Sequence, residues 1–409
     1  MNYVIIGNSA AAVGCVEGIR QVDKEGKITL IASEPHHTYS RPLISYLLYG
    51  KTDEERMKYR PDSFYDDNKV ETYLGKSVVK IDKDNKKVIL DDNTEIAYDK
   101  LLVATGSRPF VPPMDGLDTV EKKFSFMKLD DAHALGKAIS KDTNVLIIGA
   151  GLIGLKCAEG ICDRVKHITV VDLAERILPS ILDAEGSALV QKHIEEKGIE
   201  FILGDSVANF AGNKATLKSG KVLDFDVLVV AVGVRPNVEL VKEIGGNVGR
   251  GIVTDEKCRT SIEDIYAAGD CTESYDITTG QMRILALLPN AYMQGETAGI
   301  TMAGGSKSYD KAIPMNAIGF FGYHIITAGN YDGEAYISKD KDSYKKLVTR
   351  DDHLVGYILI GNVQRAGIYT SLIRERKPLS SIDFDLIKEK PQLMAFSKRE
   401  RAKTLGGLK

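Results

Sequence analysis

The feature that most constrains the fold is a sequence pattern that occurs twice. A short β-branched run ends in a glycine turn, and a helical segment follows, first from residue 3 and again from near residue 144. This order of elements opens a βαβ unit, in which consecutive strands pair in parallel. Two copies therefore predict an α/β chain with two Rossmann-like domains.

The second copy carries a complete GxGxxG fingerprint at residues 149–154, between a strand expected at 144–148 and helical periodicity through Ile161. The first glycine permits a tight turn, the second lets a pyrophosphate approach the backbone, and the third lets helix and strand pack closely. Unpaired amides at the positive helix end then bind phosphate. The residues that we assign to this dinucleotide site are Gly149, Gly151, Leu152, Ile153, Gly154, Asp172 and Gly233.

An acidic residue at the end of the following strand supports each site. Asp172 is placed to accept hydrogen bonds from both ribose hydroxyls. A 2′-phosphate would meet Asp172 as a like charge, which favours NADH over NADPH, although nearby Arg176 leaves NADPH open. In the amino-terminal copy, residues 7–12, serine and alanine replace the second and third glycines, and Glu34 takes the place of Asp172.

Two dinucleotide sites in one chain predict a redox relay, because one nucleotide can diffuse as a hydride carrier while the other stays bound as a flavin. A dehydrogenase with a single site would not need the second. The glycine content, 38 of 409 residues, is roughly 9% against a usual ~7%. Such an excess is typical of turns where backbone approaches a ligand.

Charge and cysteine use exclude other classes of protein. With 54 basic and 57 acidic residues, the net charge of −3 favours neither nucleic acid nor an anionic membrane as a partner. No stretch approaches the ~18 apolar residues of a membrane helix, and the apolar run that starts at Tyr3 leaves no room for a signal peptide. Five scattered cysteines without a CxxC predict a reduced, cytoplasmic chain that binds no metal.

An ordered set of motifs carries a resemblance to a known family. Over roughly residues 1–305 the chain resembles the FAD-dependent pyridine nucleotide–disulfide oxidoreductase superfamily, and within it the NADH:rubredoxin oxidoreductase and ferredoxin reductase branch. The segment from residue 312 resembles the carboxy-terminal domain of rubredoxin reductases. The motifs are residues 7–12, 39–45, 104–109, 149–154, 231–237, 266–270 and 288–291.

The resemblance implies that FAD takes the amino-terminal site and NAD the central one. It implies a domain order along the chain: the first part of an FAD-binding domain at 1–110, an NAD-binding domain at 111–240, the second part of the FAD-binding domain at 241–308, and a small α+β domain at 309–409. The last dozen residues, from Lys398, are basic. They fit a solvated helix, a frayed tail or a surface for an acidic partner.

The resemblance also implies roles for residues around the flavin. Asp270 would hydrogen-bond the ribityl chain, and the helix that begins near Leu288 would direct its positive end at the pyrimidine edge. Arg41 and Pro42 would lie beside the isoalloxazine. The full set implied for FAD is Gly7, Ser9, Ala10, Ala11, Glu34, Arg41, Pro42, Val78, Ala104, Thr105, Gly106, Arg108, Gly269, Asp270, Leu288 and Asn290.

Three departures from the family pattern concern the reacting centre. Thiol-dependent members carry a redox cysteine before about residue 60, whereas no cysteine lies between Cys15 and Cys157 here, and Pro42 is near that position. A thiolate relay is therefore disfavoured. Tyr46 stands where ferredoxin reductases often have lysine, and Lys156 stands where many members have glutamate near the nicotinamide. Lys156 is a candidate site residue; the alternative is a solvated helix lysine.

The sequence thus predicts an NADH-dependent flavoprotein that passes hydride to FAD and electrons to a protein acceptor: rubredoxin, ferredoxin or an iron–sulfur subunit. One alternative is an NAD-linked FAD subunit of a larger oxidoreductase. Another is an NADH oxidase without a redox thiol. The acceptor, the physiological direction and the oligomeric state stay open, and no residue is assigned a catalytic role beyond the candidate Lys156.

Overall fold

A strand–helix–strand unit begins at Asn2 and another at Asn144, and runs of consecutive strands follow each unit. A computed structural model describes residues 1–404. Its strands are β1 (Asn2–Ile6), β2 (Lys27–Ala32), β3 (Val70–Leu74), β4 (Val78–Asp82), β5 (Lys87–Leu90), β6 (Glu95–Ala97), β7 (Lys100–Val103), β8 (Ser107–Pro109), β9 (Lys123–Phe124), β10 (Asn144–Ile148), β11 (His167–Asp172), β12 (Ile199–Leu203), β13 (Val207–Ala211), β14 (Lys214–Leu217), β15 (Val222–Asp224), β16 (Val227–Val230), β17 (Val234–Pro236), β18 (Ile252–Val253), β19 (Ile265–Ala267), β20 (Thr272–Asp276), β21 (Gln281–Arg283), β22 (Met315–Phe320), β23 (Tyr323–Gly329), β24 (Glu334–Asp340), β25 (Ser343–Arg350) and β26 (His353–Ile360).

Most helices are short, and the three longest begin at Leu288, Ala10 and Ala184. The helix that the resemblance implies from near Leu288 is present. The helices are α1 (Ala10–Val22), α2 (Ile44–Leu48), α3 (Glu54–Met57), α4 (Phe64–Asp67), α5 (Leu129–Ala138), α6 (Leu152–Ile161), α7 (Ala184–Glu195), α8 (Glu239–Glu243), α9 (Leu288–Met302), α10 (Ala366–Arg374), α11 (Phe384–Glu389) and α12 (Lys398–Thr404).

Two parallel five-stranded sheets repeat the same topology. The first has the order β3-β2-β1-β7-β19 and the second β12-β11-β10-β16-β9. In each, the strand before the glycine turn pairs on one side with the next strand and on the other with a later apolar strand. A three-stranded antiparallel sheet accompanies each one, β4-β5-β6 and β13-β14-β15. The doubly occurring βαβ pattern and the α/β fold class are confirmed.

Helices α1 and α9 pack through glycines in both directions. A Cβ on Gly14 would lie 2.3 Å from the Tyr292 carbonyl oxygen, and a Cβ on Gly295 would lie 1.9 Å from that of Ala11. Neither helix could carry a side chain at these positions without moving apart. The close approach fixes the start of α9, and so Leu288, relative to the amino-terminal glycine turn.

The chain forms two compact units. The first comprises Met1–Glu175, Gly198–Tyr275 and Met282–Asp310, and the second Arg176–Lys197, Asp276–Gln281 and the residues from Lys311 onward. The first unit holds both parallel sheets. The domain boundaries implied by the resemblance remain predictions.

The second unit is built on an antiparallel sheet of order β22-β23-β26-β25-β24. Side chains of this sheet hold the segment that contains α7: the Tyr344 hydroxyl donates to Asp183 over 2.8 Å, and the Lys346 ammonium lies 2.9 Å from the same carboxylate. The Tyr331 hydroxyl donates to the Ile181 carbonyl oxygen over 3.0 Å. The small α+β domain expected after residue 312 is thus present.

Two further observations bear on the sequence predictions. No helix within residues 1–404 is long and apolar enough to cross a bilayer. The basic segment from Lys398 begins as α12, and its residues 405–409 lie outside the described part of the chain.

Candidate functional site

The central loop, residues 149–154, is held at the carboxyl ends of two strands. Gly149 has φ +112° and its amide donates to the Val171 carbonyl oxygen over 2.8 Å. A Cβ on Gly149 would lie 2.3 Å from the Ala231 carbonyl oxygen, and one on Gly154 2.0 Å from the Gly149 carbonyl oxygen. Both positions therefore require glycine.

Gly151 differs from its two neighbours in the motif. Its backbone is extended, with φ −84° and ψ −174°, and a Cβ built on it would meet no atom of the described protein within 4 Å. The protein alone does not require glycine there. The open space lies at the amino terminus of α6, where Leu152 and Ile153 present amides outside the helical ladder, so it suits a pyrophosphate.

Asp172 lies at the rim of the central loop, as expected. One carboxylate oxygen accepts from the Ala150 amide at 2.6 Å and the other from the Ala174 amide at 2.8 Å. Each oxygen keeps a second acceptor position. The carboxylate is therefore held in place and can still accept from ribose hydroxyls.

The amino-terminal loop, residues 7–12, repeats this geometry. Gly7 has φ +127°, its amide donates to the Ile31 carbonyl oxygen over 2.8 Å, and a Cβ on it would lie 2.2 Å from the Ala104 carbonyl oxygen. Ser9 ends the loop, and α1 begins at Ala10. The amides of Ala10 and Ala11 therefore form the same kind of anion cradle as in the central loop.

Glu34, the counterpart of Asp172, is enclosed by partners that the sequence did not indicate. The Tyr39 hydroxyl donates to one carboxylate oxygen over 2.6 Å, and the Arg41 guanidinium pairs with the other. The Tyr39 hydroxyl also accepts from the Leu129 amide at 3.0 Å, at the start of α5. The loop that holds Glu34 is thus joined to the second parallel-sheet region.

Asp270 is a partly buried carboxylate that lacks a hydrogen-bond donor within residues 1–404. Burial raises its pKa, and the charge of Arg41 offsets part of that effect. Its carboxylate oxygens are not fully enclosed by the described protein, so they remain open to donors of a ligand. Hydroxyls of a ribityl chain would satisfy them, so this residue fits the role that the resemblance implies.

The start of α9 faces the same turn. The Gln294 side chain accepts from the Gly269 amide at 2.7 Å and donates to the Thr272 hydroxyl over 3.1 Å. Gln294 thereby fixes the Gly269 turn before Asp270, a role that sequence reasoning did not assign. Leu288 is the first residue of α9, and Asn290 is buried in its first turn.

The motifs at 104–109 and 231–237 pair with each other through antiparallel β8 and β17. The Thr105 hydroxyl donates to the Asn237 carbonyl oxygen, and the Asn237 amide group donates to the Thr105 carbonyl oxygen, both over 2.8 Å. Gly106 and Gly233 adopt positive φ at this crossing.

Arg108 is exposed at the same crossing. Its guanidinium binds Asn237 at 2.8 Å and Glu239 at 2.7 Å. Its observed partners are therefore protein groups.

Two other residues of the set implied for FAD lie elsewhere in the fold. Val78 begins β4 and is partly buried, and Pro42 lies in a single 3-10 turn between Arg41 and Leu43.

The thiols of the chain are ill suited to redox chemistry with a flavin. Burial holds the pKa of Cys15, Cys157 and Cys258 well above the usual range and raises that of Cys271 to about 11. Cys271 follows Asp270, but its thiol faces the Val103 and Ala268 carbonyl oxygens. Cys162, which follows the end of α6, is only partly buried.

Lys156 is not the solvated lysine of the alternative interpretation. Its side chain is 17% exposed and pairs with Glu159, which is 3% exposed. The ammonium also lies 4.3 Å from the centre of the Tyr46 ring. Two positions that depart from the family pattern therefore meet in space.

No cluster of histidine, cysteine and acidic residues within residues 1–404 could hold a metal ion. His36 lies 2.8 Å from Asp130 and His133 lies 3.0 Å from Glu54, each as a side-chain pair on the surface.

Two matching nucleotide cradles in one chain define the class of protein. Glu34 and Asp270 lie beside one loop, an arrangement that fits a flavin nucleotide, and the other loop has the complete GxGxxG fingerprint with Asp172 beside it, which fits a pyridine nucleotide. The chain is a pyridine-nucleotide-dependent flavoprotein oxidoreductase that uses FAD and NAD(H).

Comparison with known proteins gives the family. Residues 1–295 match the model of the pyridine nucleotide-disulphide oxidoreductases, and residues 314–377 match that of the rubredoxin NAD⁺ reductase C-terminal domain. The chain belongs to the pyridine nucleotide-disulphide oxidoreductase family. The resemblance inferred from the motifs is confirmed.

Relatives differ in how they use this fold. The NADH-dependent phenylglyoxylate dehydrogenase subunit epsilon of Aromatoleum evansii is 32% identical over 93% of both chains. A nitrite reductase [NAD(P)H] of Bacillus subtilis is 31% identical over 92% of this chain, which spans only 48% of that protein. A solved ferredoxin reductase from Rhodopseudomonas palustris is 25% identical, with a TM-score of 0.85 over 92% of this chain and 95% of that one.

Proposed function

We propose that the chain is an NADH-dependent reductase with FAD on the amino-terminal loop and NAD on the central loop. The bound nucleotides supply hydride transfer from the nicotinamide C4 to the flavin N5. Electrons then leave to a small iron–sulfur protein of the rubredoxin or ferredoxin kind. The reduced state of the thiols fits a cytoplasmic location.

The observation that carries this proposal is the duplicated loop geometry with two differently equipped acids. Asp172 is fixed by backbone amides and can accept hydrogen bonds from the ribose hydroxyls of an exchangeable nucleotide. Glu34 is enclosed by Tyr39 and Arg41, and the Asp270 carboxylate is available to accept hydrogen bonds from a ligand. The first arrangement suits an exchangeable nucleotide, and the second suits a resident one.

The chain's own groups position the nucleotides and set their electrostatics. The amides at Ala10 and Leu152 would hold the pyrophosphates, and Asp270 would orient the ribityl chain. The amino terminus of α9, which begins at Leu288, would supply a positive dipole end that stabilises negative charge on a reduced flavin.

A protein acceptor is favoured over a thiol because of the cysteines' surroundings. Four of the five thiols are buried, and burial raises their pKa, so they lack the thiolate that disulfide exchange needs. The rubredoxin-reductase type of carboxy-terminal domain and the likeness to a ferredoxin reductase support an iron–sulfur acceptor.

Anaerobic stopped-flow mixing tests the proposal. We expect NADH to bleach the visible flavin absorbance in one fast phase, and added oxidised rubredoxin or ferredoxin to restore it. If NADH bleaches the flavin and neither protein restores the absorbance, the proposal of an iron–sulfur acceptor is ruled out. Rapid recovery with oxygen alone would favour an NADH oxidase instead.

A second function is favoured by the relative that this chain matches over 93% of both lengths, which is named as a subunit of a larger dehydrogenase. The chain would then exchange electrons between NAD(H) and an iron–sulfur partner within a complex. Affinity purification of the tagged chain from its own cells discriminates: a stoichiometric iron–sulfur partner supports the subunit, and a free chain that turns over rubredoxin contradicts it.

A further inference from the structure

Lys156 lies where the two nucleotide-binding regions touch. It stands in the first half of α6, the helix that opens at the central loop. Its ammonium reaches α2, where it lies 4.3 Å from the centre of the Tyr46 ring. Helix α2 directly follows the turn of Arg41 and Pro42.

The contact between α2 and α6 is close and specific. A Cβ on Gly160 would lie 2.8 Å from the Ser45 carbonyl oxygen. Gly160 follows Lys156 by four residues and so lies on the same face of α6. Tyr46 follows Pro42 by four residues, about one helical turn away. The lysine is therefore fixed near the motif that we place beside the flavin.

The charge of Lys156 is held on two sides. Glu159, only 3% exposed, pairs with the ammonium from within α6, and the Tyr46 ring offers its face from α2. Aromatic faces attract cations electrostatically. A buried ion pair adds little stability over apolar residues of similar size, so stability alone does not account for a charged pair at this contact.

We propose that Lys156 is a charge-setting residue for flavin reduction: its ammonium, oriented by Glu159 and Tyr46, stabilises the negative charge that the flavin gains with the hydride. This inference rests on the proposed assignment of FAD to the amino-terminal loop. Lys156 acts at a distance and is a positioning residue, with no bond made or broken at its ammonium.

The size of the effect follows from Coulomb's law. A unit charge removed at a distance on the order of 10 Å, in a medium of effective dielectric constant about 20, changes an equilibrium on the order of tenfold. For a two-electron couple, tenfold corresponds to about 30 mV. Lys156→Gln should therefore lower the flavin midpoint potential by about 30 mV.

The two single variants should shift the flavin midpoint potential in opposite directions, which makes the test specific. Glu159→Gln leaves the ammonium without its counter-charge and should raise the potential, and Lys156→Gln/Glu159→Gln should fall between the single variants. A merely structural pair would shift both single variants in the same direction or not at all. Lys242→Gln is the control, because Lys242 is an exposed lysine on the separate helix α8, and its potential should equal that of wild type.

The potentials are measured by anaerobic dye-equilibrated titration of FAD-loaded protein. Where Lys156→Gln fails to fold, Lys156→Met replaces it and should lower the potential by the same amount, whereas Lys156→Arg keeps the charge and should keep the wild-type potential. A wild-type potential in the folded variant that removes the Lys156 charge would overturn the inference. A wild-type flavin that NADH does not reduce would instead contradict the proposed function, since the potentials are measured without NADH.

Discussion

Replacement of Gly151 by alanine tests whether this glycine is required by the bound nucleotide rather than by the folded protein. The Gly151 backbone is extended, at φ −84° and ψ −174°, which alanine adopts freely, and its Cβ would meet no atom of the described protein within 4 Å. Gly149 is the matched control: it has φ +112°, and its Cβ would lie 2.3 Å from the Ala231 carbonyl oxygen.

The two variants should therefore behave in opposite ways. Gly151→Ala loses no protein contact and restricts the unfolded chain, but alanine is a poorer N-cap than glycine, so its free energy of unfolding should stay within about 1 kcal/mol of wild type. Its methyl group would occupy the space for the pyrophosphate, and NADH should bind at least about tenfold more weakly, or ~1.4 kcal/mol. Gly149→Ala combines backbone strain with a clash against backbone and should lose about 2–5 kcal/mol of stability.

Stability is read from urea unfolding of the FAD-loaded proteins, and NADH affinity from isothermal titration with NAD⁺ and from the NADH dependence of flavin bleaching. FAD content should stay at the wild-type level in Gly151→Ala. Wild-type NADH affinity in Gly151→Ala would refute the assignment of the central loop. A large loss of stability in that variant would refute the geometry on which the argument stands.

Three further changes test other parts of the site. Asp270→Asn should weaken FAD binding about tenfold. Burial raises the pKa of this carboxyl, so the wild-type apoprotein gains stability as pH falls. The variant apoprotein should therefore be more stable than wild type near pH 7 and lose that advantage in acid, as measured by urea unfolding across pH. Gly295→Ala should cost about 3 kcal/mol, because its Cβ would lie 1.9 Å from the Ala11 carbonyl oxygen, whereas Gly367→Ala, in open space on α10, should cost nothing. Asp172→Asn should weaken NADH binding and narrow the preference over NADPH, as measured by kcat/KM with each nucleotide.

The elements that follow from local pattern could be predicted from the sequence. Short β-branched apolar runs that end in glycine predict β1, β10 and the loops after them, because parallel strands are buried on both faces and positive φ selects glycine. The helix that the resemblance implies from near Leu288 is present at Leu288–Met302. Asp172 is the last residue of β11, and Glu34 lies two residues after the end of β2.

Long-range partners could not be predicted in this way. Lys156 and Tyr46 are far apart in sequence, and neither residue type indicates the other. The hydrogen bond of Tyr344 and the ion pair of Lys346 with Asp183 likewise depend on how β25 packs against a segment far away in the sequence. Arg108, expected at FAD, has partners that are specified by the β8–β17 pairing. Local periodicity reports which face is buried and carries no information on what covers it.

The central claim is that electrons pass from NADH through FAD to an outside acceptor without a thiol, and an anaerobic titration of the FAD-loaded protein with NADH tests it most directly. The account predicts full bleaching at about one equivalent of NADH per flavin, since the flavin alone takes up the electron pair, and an unchanged count of reactive thiols. Uptake of a second equivalent together with newly reactive thiols, or no bleaching at all, would contradict it.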